Sequence, residues 1–384
     1  MTITANLSRR NFLTAGAATM GASLVTPHLA LAQSATTELA QPLYGPAPGV
    51  AKLNANENPY GPSPSAIAAM SEAIGKGAYY VNSTAETLKE MIAERHGLTK
   101  DHIILSSGSS GVLTSLAMMA AEKGNILGSD LFWDTTSRMG TRNSTSEIVR
   151  LPKTEDIAVD LDAMYFAVDD TIAMAQICNP NNPTGSIVSP QKLKMFCEKT
   201  SQATMVLVDE AYNEVTDDPE GNSMVPLVKA GHNVVVARTF SKIYGMAGMR
   251  VGYMIAAPET AELISAYGMG SYGLNQAGIA GAVTSYNDTK FLAYSKSKII
   301  EAREMISEAV TANGLMALPS QTSFMFVNLG SINAEDFRQG MAKENVLIRG
   351  IYQDYTNWSR VSMGKIPDVE QYVAAMPKVL EALS

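Results

Sequence analysis

Three uninterrupted apolar segments constrain the fold of this chain more than any other feature. They are "TIAMAQI" (171–177), "TMVLVDEA" (204–211) and "NVVVARTF" (233–240). A strand with one face in water alternates apolar and polar residues, whereas these segments do not alternate and are typical of strands buried on both faces. Such strands occur in parallel sheets that helices cover on both sides. We therefore predict an α/β fold.

Helical patterns separate these strands and continue beyond them. In "STAETLKEMIAERHG", Ser83 and Glu86 predict a capping box, and Gly97 predicts the end of the helix. A long helical pattern over residues 288–313 leads into a C-terminal α+β segment. Because a chain of 384 residues is too long to fold around one small hydrophobic core, we predict separate domains. The predicted units are a signal peptide (1–32), an arm that contributes to the small domain and substrate site (33–62), a large domain (63–285) and a small domain (286–384).

The N-terminal segment has the pattern of an export signal. In "LSRRNFLTAGAATMGASLVTPHLALAQ", Arg9 and Arg10 precede a stretch without charged residues that lasts until Glu38. That stretch is only mildly hydrophobic, and it contains the small-x-small cleavage pattern "ALA" at 30–32. Twin arginines before a weakly apolar segment resemble a twin-arginine (Tat) signal, so we expect a periplasmic protein without stable membrane association after cleavage. An uncleaved signal that anchors the protein in the membrane is the alternative.

Charge and composition argue against two kinds of partner. The formal net charge is −8, which does not favour binding to nucleic acid. The four histidines are dispersed, and neither Cys178 nor Cys197 has metal-ligand spacing, so no metal site is predicted. We expect the two cysteines to be buried thiols in separate elements, and a disulfide between them is the alternative.

Polar residues follow several predicted strands at the point where each strand ends. Ser109 and Ser110 come after "HIILSSG" and begin a helix, Asn182 lies in "NPNNPTG" after the next apolar strand, and Asp209 and Tyr212 lie in "VDEAY". Ligands of parallel sheets bind outside the carboxyl ends of the strands. Backbone N–H groups at the start of a helix favour an anion. We therefore expect these side chains to surround one ligand.

The segment "TFSKIYGMAGMRVGY" (239–253) supplies two cations among small and apolar neighbours. Lys242 and Arg250 are either incidental charges on a solvated loop or face a common anion in a cleft, because a buried cation needs a partner. Arginine offers a planar fork for a phosphate dianion, and the hydroxyls of Thr239 and Ser241 are close by. A lysine beside another cation loses its proton easily and can attack an aldehyde. With Asp209 placed to keep a pyridine nitrogen protonated, these groups predict a pyridoxal 5'-phosphate site.

Four motifs together resemble one known family. "KLNANENPYGPSPSAI", "NPNNPTG", "VDEAY" and "SKIYGMAGMRVGY" are similar to motifs of class I/II, fold-type I aminotransferases, and most similar to the histidinol-phosphate aminotransferase branch. The resemblance extends roughly from Lys52 to Gly364. It implies a large domain with a mostly parallel sheet and a smaller α+β domain. It also implies transfer of an amino group from an amino acid or amino compound to a 2-oxo acid, by a homodimer.

The resemblance also implies a role for individual residues. Lys242 is the cofactor lysine, Asp209 is the partner of the pyridine nitrogen, and Asn182 and Tyr212 contact the phenolic oxygen. The remaining assignments are phosphate contacts from Ser109, Ser110, Thr239, Ser241 and Arg250, ring stacking by Phe132 with Trp133 as the alternative, a phosphate contact across the dimer from Tyr80, a carboxylate contact from Arg360, and a substrate contact from Asn56. Arg349 either meets a distal anion of the substrate or pairs with Asp354 on the surface.

Some positions depart from the family pattern, and other activities occur on the same scaffold. Gly111 stands where the family usually has an acid, Asp130 where it has proline, and Ser323 where it has asparagine. A pyridoxal phosphate-dependent decarboxylase, lyase or racemase is the alternative enzyme, and an exported binding protein without turnover is a more distant one. Arg360 favours the aminotransferase, since a carboxylate held by a guanidinium is hard to expel.

Overall fold

A seven-stranded sheet forms the centre of the computed structural model, which describes residues 44–384. The predicted signal peptide and residues 33–43 of the predicted arm lie outside the described residues. Within the described range the strands are β1 (Ala51–Lys52), β2 (Ile103–Ser107), β3 (Asn125–Gly128), β4 (Ile148–Arg150), β5 (Ile172–Cys178), β6 (Met205–Asp209), β7 (Val234–Thr239), β8 (Val251–Ile255), β9 (Met316–Ala317), β10 (Phe324–Asn328), β11 (Val346–Leu347) and β12 (Trp358–Ser362).

Helices separate most of these strands. In the same range they are α1 (Pro64–Ile74), α2 (Ser83–His96), α3 (Ser109–Ala121), α4 (Thr135–Thr141), α5 (Leu161–Phe166), α6 (Pro190–Thr200), α7 (Val225–Lys229), α8 (Pro258–Ser265), α9 (Gln276–Tyr286), α10 (Thr289–Ala312), α11 (Ala334–Lys343) and α12 (Ile366–Leu383). None of these helices is long and apolar enough to cross a lipid bilayer.

The central sheet has the order β2-β8-β7-β6-β5-β3-β4. Strands β3 to β7 pair in parallel, and the three strands predicted from apolar segments, β5, β6 and β7, are almost wholly buried. The predicted α/β fold is therefore confirmed. Strand β8 is the exception, because it pairs antiparallel with both β2 and β7. Only residues 240–250 join β7 to β8, which is too short for the helical crossover that a parallel pair requires.

One predicted end of helix α2 is confirmed and the other is wrong. Gly97 ends α2 in the left-handed conformation, with φ of 61°, as predicted. The predicted capping box is wrong, because Asn82 occupies the N-cap position and Ser83 is already helical. The carboxylate of Glu86 instead accepts a hydrogen bond from Lys100, at 2.8 Å. Helix α10 agrees with the long helical pattern predicted over residues 288–313.

The C-terminal part of the chain forms two small sheets. Strands β12, β10 and β9 make an antiparallel sheet in which Arg360 is opposite Phe326. Strand β1 pairs in parallel with β11, so the start of the described chain joins its C-terminal part. The predicted domain boundary at residues 285 and 286 stays a prediction. Cys178 in β5 and Cys197 in α6 are buried free thiols in separate elements, as expected.

Candidate active site

The ends of four strands meet at one edge of the central sheet. Strands β2, β5, β6 and β7 run in the same direction and end there. Strand β8 runs in the opposite direction and starts there. A cavity of about 370 Å³ lies at this edge. Its walls are formed by Asn54, Ala55, Asn56, Glu57, Ser109, Ser110, Trp133, Cys178, Asn182, Asp209, Ala211, Tyr212, Thr239, Ser241, Lys242, Ala247, Arg250 and Arg360. The sequence-predicted convergence of strand-end residues is therefore confirmed.

One end of the cavity has the features of an anion site. The Nη2 atom of Arg250 donates a hydrogen bond to the hydroxyl of Ser110, at 3.0 Å, in the first turn of α3. The N-cap residue of α3 is Gly108, which has φ of 72° and no side chain that could cap the helix. A Cβ atom on Gly108 would lie 2.2 Å from Nη2 of Arg250, and one on Gly252 would lie 2.0 Å from the backbone nitrogen of Ser109. Gly108 is therefore required for the guanidinium to lie at the helix N-terminus, and Gly252 is required for β8 to pass close to the backbone of that N-terminus.

Lys242 lines the cavity and has an unusual environment. Its Nζ atom donates a hydrogen bond to the main-chain oxygen of Asn56, at 2.8 Å, and lies 5.2 Å from the ring centroid of Tyr212. Burial, reinforced by the charge of Arg360, lowers the pKa of Lys242 to about 8, although Asp209 opposes the shift. A much larger fraction of this amine is neutral near pH 7 than of an ordinary lysine. The lysine is thus suited to act as a nucleophile and as a base.

Asp209 is buried at the end of β6. One of its carboxylate oxygens accepts a hydrogen bond from the backbone of Ala211, at 3.2 Å. Burial raises the pKa of Asp209 to about 6, and the hydrogen bond and the charge of Lys242 oppose that shift. A cation placed against this carboxylate would favour its ionised form, and a protonated pyridine nitrogen is such a cation.

The other end of the cavity holds an arginine with unused donors. Arg360 donates from Nη1 to Oδ1 of Asn182, at 3.0 Å, and from Nη2 to the main-chain oxygen of Asn54, at 3.2 Å. Its Nε atom is buried and has no hydrogen-bond partner in the described chain. Because Oδ1 of Asn182 accepts from Arg360, the amide nitrogen of Asn182 stays available as a donor. An incoming carboxylate would supply the acceptor that Arg360 lacks.

Phe132 and Trp133 are arranged differently from the expectation. The resemblance favours Phe132 for stacking on the cofactor, but its buried ring fills the space beside Gly128, where a Cβ atom would lie 2.4 Å from the ring. The guanidinium carbon of Arg150 lies 4.9 Å from the centroid of the same ring. Trp133 lines the cavity instead. Of the two residues, Trp133 alone lines the cavity, and which ring stacks on the cofactor stays a prediction.

Two further predicted site residues lie outside the cavity wall. Tyr80 is 71% exposed and packs edge-to-face against Tyr272, with ring centroids 5.2 Å apart, so its predicted contact with a partner stays a prediction. Arg349 is exposed, and its guanidinium carbon lies 5.7 Å from the ring centroid of Tyr352. The alternative surface pair with Asp354 does not form, since Asp354 faces Lys153 at 3.5 Å.

The positions that depart from the family pattern have structural consequences. Asp130 accepts a hydrogen bond from the hydroxyl of Tyr355, at 2.5 Å, which proline could not do. A Cβ atom on Gly111 would approach the side chain of Ser106 to 3.0 Å. The hydroxyl of Ser323 is buried without a hydrogen-bond partner in the described chain.

The contacts that join Asn56 to the rest of the site are not among those predicted from the sequence. Its amide nitrogen donates to the hydroxyl of Tyr212, at 2.8 Å, and its amide oxygen accepts from the hydroxyl of Ser362, at 2.7 Å. The period of two along a strand places Ser362 on the same face as Arg360, and that alternation was the available signal. The resemblance assigns Asn56 and Tyr212 to one site, but it does not indicate that the two side chains are in direct contact or that Ser362 contacts Asn56.

The residues of the cavity fit pyridoxal 5'-phosphate. The helix N-terminus with Arg250 suits its phosphate, and Lys242 is a neutralisable amine for its aldehyde. Asp209 is a buried carboxylate for its ring nitrogen, while Asn182 and Tyr212 are hydrogen-bond donors for its phenolic oxygen. Each functional group of the cofactor thus has a matching group in the cavity wall.

The lowered pKa of Lys242 predicts how the stability of the cofactor-free protein depends on pH. Between about pH 8 and pH 10.5 Lys242 binds a proton in the unfolded protein but has lost it in the folded protein. The amount by which Lys242 lowers the free energy of unfolding therefore decreases as pH rises. We expect Lys242→Met to raise the urea midpoint of unfolding below pH 8, and this gain to shrink towards pH 10.5. Lys123→Met, at an exposed lysine, is the control. The urea midpoint of this variant should change with pH in the same way as that of the wild type. A constant gain for Lys242→Met across this pH range would contradict the assignment.

Comparison with known proteins gives the family. The model for aminotransferases of class I and II matches residues 48–376. A histidinol-phosphate aminotransferase of Halalkalibacterium halodurans is 30% identical over 334 residues, covering 86% of this chain and 89% of the relative. Histidinol-phosphate aminotransferase 1 of Dechloromonas aromatica is 32% identical over 347 residues, covering 90% of this chain and 94% of the relative.

A solved structure agrees with these relatives. The crystal structure of histidinol-phosphate aminotransferase from Sinorhizobium meliloti in complex with pyridoxal-5'-phosphate has a TM-score of 0.78 and 28% identity, covering 87% of this chain and 92% of that one. The family model covers most of the chain, and the cavity carries the groups that the cofactor requires. The chain therefore belongs to the family of class I and II aminotransferases, and it is a pyridoxal phosphate-dependent aminotransferase.

Proposed function

We propose that the enzyme takes its amino group from a small amino compound that carries an anion at its distal end. The observation that supports this is a pair of arginines beside one aromatic ring. The guanidinium carbons of Arg360 and Arg349 lie 5.5 and 5.7 Å from the ring centroid of Tyr352. The two residues exchange backbone hydrogen bonds, so their side chains share one face of the sheet. A dicarboxylic amino acid or a phosphorylated amine would satisfy both cations.

The relatives support an anionic donor in a second way. Both of the curated relatives are named for histidinol phosphate, an amino compound whose distal group is a phosphate. In this chain a free amino acid with a side-chain carboxylate would suit the same pair of arginines. We therefore propose amino acids of that kind as the first donors, with histidinol phosphate as a secondary donor and a 2-oxo acid as the acceptor.

The side chains of the cavity are proposed to hold the cofactor. Pyridoxal phosphate supplies an electron-withdrawing ring that stabilises negative charge at the substrate Cα atom. The proposed contacts are Ser109, Ser110, Thr239, Ser241 and Arg250 with the phosphate, Asp209 with the ring nitrogen, Asn182 and Tyr212 with the phenolic oxygen, and Trp133 with the ring face.

Lys242 and Arg360 would divide the chemistry at the substrate between them. With its lowered pKa, Lys242 could accept the proton from the substrate Cα atom and deliver it, as a general acid, to the aldehyde-derived carbon (C4′) of the cofactor. Arg360 would hold the α-carboxylate and thereby fix which bond of Cα stands perpendicular to the ring. Because that carboxylate is retained, proton transfer is favoured over decarboxylation.

The proposed donor class predicts the effect of Arg349→Met. A charge-assisted hydrogen bond contributes about 1.5–3 kcal/mol, so KM for glutamate, aspartate or histidinol phosphate should rise by roughly 10- to 100-fold. KM for alanine and phenylalanine should stay unchanged, since these donors lack a distal anion. Arg338→Met, which removes a partly exposed arginine paired with Glu335, is the control. Equal KM values for the anionic donors in wild type and Arg349→Met would refute the proposal.

We further infer that the enzyme is a two-fold symmetric homodimer in which Tyr80 reaches the neighbouring phosphate site. Tyr79, Tyr80 and Tyr272 are each about 70% exposed, and Tyr80 and Tyr272 are in contact with one another. The side chain of Gln276 donates hydrogen bonds to the main-chain oxygens of Tyr79 and Tyr80, so this segment is held in place. A cluster of exposed aromatic residues is typical of an interaction surface.

Mixing two inactive variants tests the shared site. A hybrid of a Lys242→Ala subunit and a Tyr80→Phe subunit has one site with both Lys242 and Tyr80, so random pairing should restore roughly a quarter of wild-type activity. A mixture of Lys242→Ala with the double variant Lys242→Ala/Tyr80→Phe is the matched control and should stay inactive. Failure of the first mixture to gain activity, or a fully active monomer in sedimentation, would disprove the shared site.

We also propose export to the periplasm by the twin-arginine route. That route carries folded proteins, so the enzyme can bind its charged cofactor through Lys242 and Arg250 before it crosses the membrane. Arg9→Lys combined with Arg10→Lys should leave active, uncleaved enzyme in the cytoplasm, while wild type is cleaved and periplasmic. Cell fractionation with immunoblotting measures both. A double variant that is still processed, or a wild type that is wholly cytoplasmic or held in the membrane, would overturn this proposal.

A further inference from the structure

Asn56 contacts both of the side chains that would act on the cofactor, through different atoms. Its main-chain oxygen accepts a hydrogen bond from Nζ of Lys242, at 2.8 Å. Its side-chain nitrogen donates to the hydroxyl oxygen of Tyr212, also at 2.8 Å, and this bond is buried. Asn56 itself is 8% exposed. One residue of the N-terminal segment therefore holds the lysine and the tyrosine in fixed relation to one another.

Ser362 determines which way the amide of Asn56 points. The hydroxyl of Ser362, on β12, is 1% exposed and donates to Oδ1 of Asn56, at 2.7 Å. With Oδ1 held by Ser362, the NH2 group must face Tyr212. The opposite orientation would leave the buried hydroxyl hydrogen of Ser362 without its acceptor, which is costly.

This orientation sets the direction of the hydrogen bond at Tyr212. An amide nitrogen can only donate, so the oxygen of Tyr212 is the acceptor. The hydroxyl hydrogen of Tyr212 is then free to point to another acceptor, and the cavity that Tyr212 lines is where one can bind. Burial also raises the pKa of Tyr212, so that hydrogen stays on the phenol throughout the working pH range.

We propose that Asn56 is a positioning residue that directs the hydroxyl hydrogen of Tyr212 to the phenolic oxygen of the cofactor and holds Lys242 beside it. Ser362 sets the orientation of Asn56. Because Ser362 is two residues beyond Arg360 on the same strand, the strand that would bind the substrate carboxylate also orients the cofactor contacts. The inference rests on the proposed arrangement of the cofactor, and the substrate contact that the resemblance implies for Asn56 stays a prediction.

Asn56→Asp tests the direction of this hydrogen bond with almost no change in shape. A carboxylate only accepts hydrogen bonds, so the hydroxyl of Tyr212 would turn to donate to the introduced carboxylate and leave the cofactor. Donation to the phenolic oxygen favours its negative form, so losing it should raise the pH midpoint of the visible absorbance of bound pyridoxal phosphate by about one unit. Tyr212→Phe should give a similar rise. In the double variant Asn56→Asp/Tyr212→Phe the pH midpoint should rise no more than in either single variant. A direct effect of the new charge on the cofactor would instead add to the rise caused by Tyr212→Phe.

Ser362→Ala provides a second test that introduces no charge. Removing the hydroxyl frees the amide of Asn56 to rotate, so the same pH midpoint should rise by a smaller amount, and Ser362→Thr should restore the wild-type value. Ser359→Ala is the matched control, because Ser359 lies on the same strand and is buried, but its hydroxyl donates to the main-chain oxygen of Arg349. Ser359→Ala should leave the pH midpoint unchanged, even if it lowers the unfolding midpoint as much as Ser362→Ala does.

The outcomes separate this inference from the proposed function. If Lys242→Ala retained the absorbance of the wild-type holoenzyme, the cofactor arrangement itself would be wrong. If the wild type and Tyr212→Phe behaved as described but Asn56→Asp and Ser362→Ala kept the wild-type pH midpoint, only the positioning role would be wrong. Additive shifts in the double variant would also overturn it. A pH midpoint raised in Asn56→Asp and Ser362→Ala, and restored in Ser362→Thr, would support it.

Discussion

Burial of both faces of the central sheet is the constraint on which the rest of this structure depends. Strands β5, β6 and β7 are covered on both sides, so polar groups are largely confined to the strand ends. Because these strands are parallel, their carboxyl ends share one edge, and Asp209 and Thr239 come together there. The antiparallel strand β8 brings its own start, and with it Arg250, to the same edge. The site is thus a direct consequence of the sheet topology.

Much of this arrangement could be predicted from the sequence, because the signals were local. Uninterrupted apolar segments predicted the buried strands, and the polar residues directly after them predicted the cavity wall. The antiparallel direction of β8 was not predicted, since it depends on the length of one connection and not on the pattern within the strand. The capping box at Ser83 was wrong because helix α2 begins one residue earlier than expected, with Asn82 as its cap.

Contacts between distant segments account for the remaining differences. Phe132 and Trp133 are neighbours in the sequence, and only the packing of Phe132 against Gly128 decides that Trp133 faces the cavity. Likewise, no local pattern could show that Asn56 lies against Tyr212, 156 residues away, or against Ser362, 306 residues away. A single sequence carries residue types and spacing, whereas these contacts arise from tertiary packing.

The charges of the cavity explain why the ligand must be anionic at two places. Lys242, Arg250 and Arg360 line one cavity with the carboxylates of Asp209 and Glu57, and Glu57 is already paired with Lys52 at 2.5 Å. Burial and the charge of Arg360 therefore favour the loss of a proton from Lys242. A phosphate at Arg250 and a carboxylate at Arg360 would neutralise the two arginines, which cannot lose their protons. Lysine is the one cation of the three that can become neutral, and the reaction requires a neutral amine at that position.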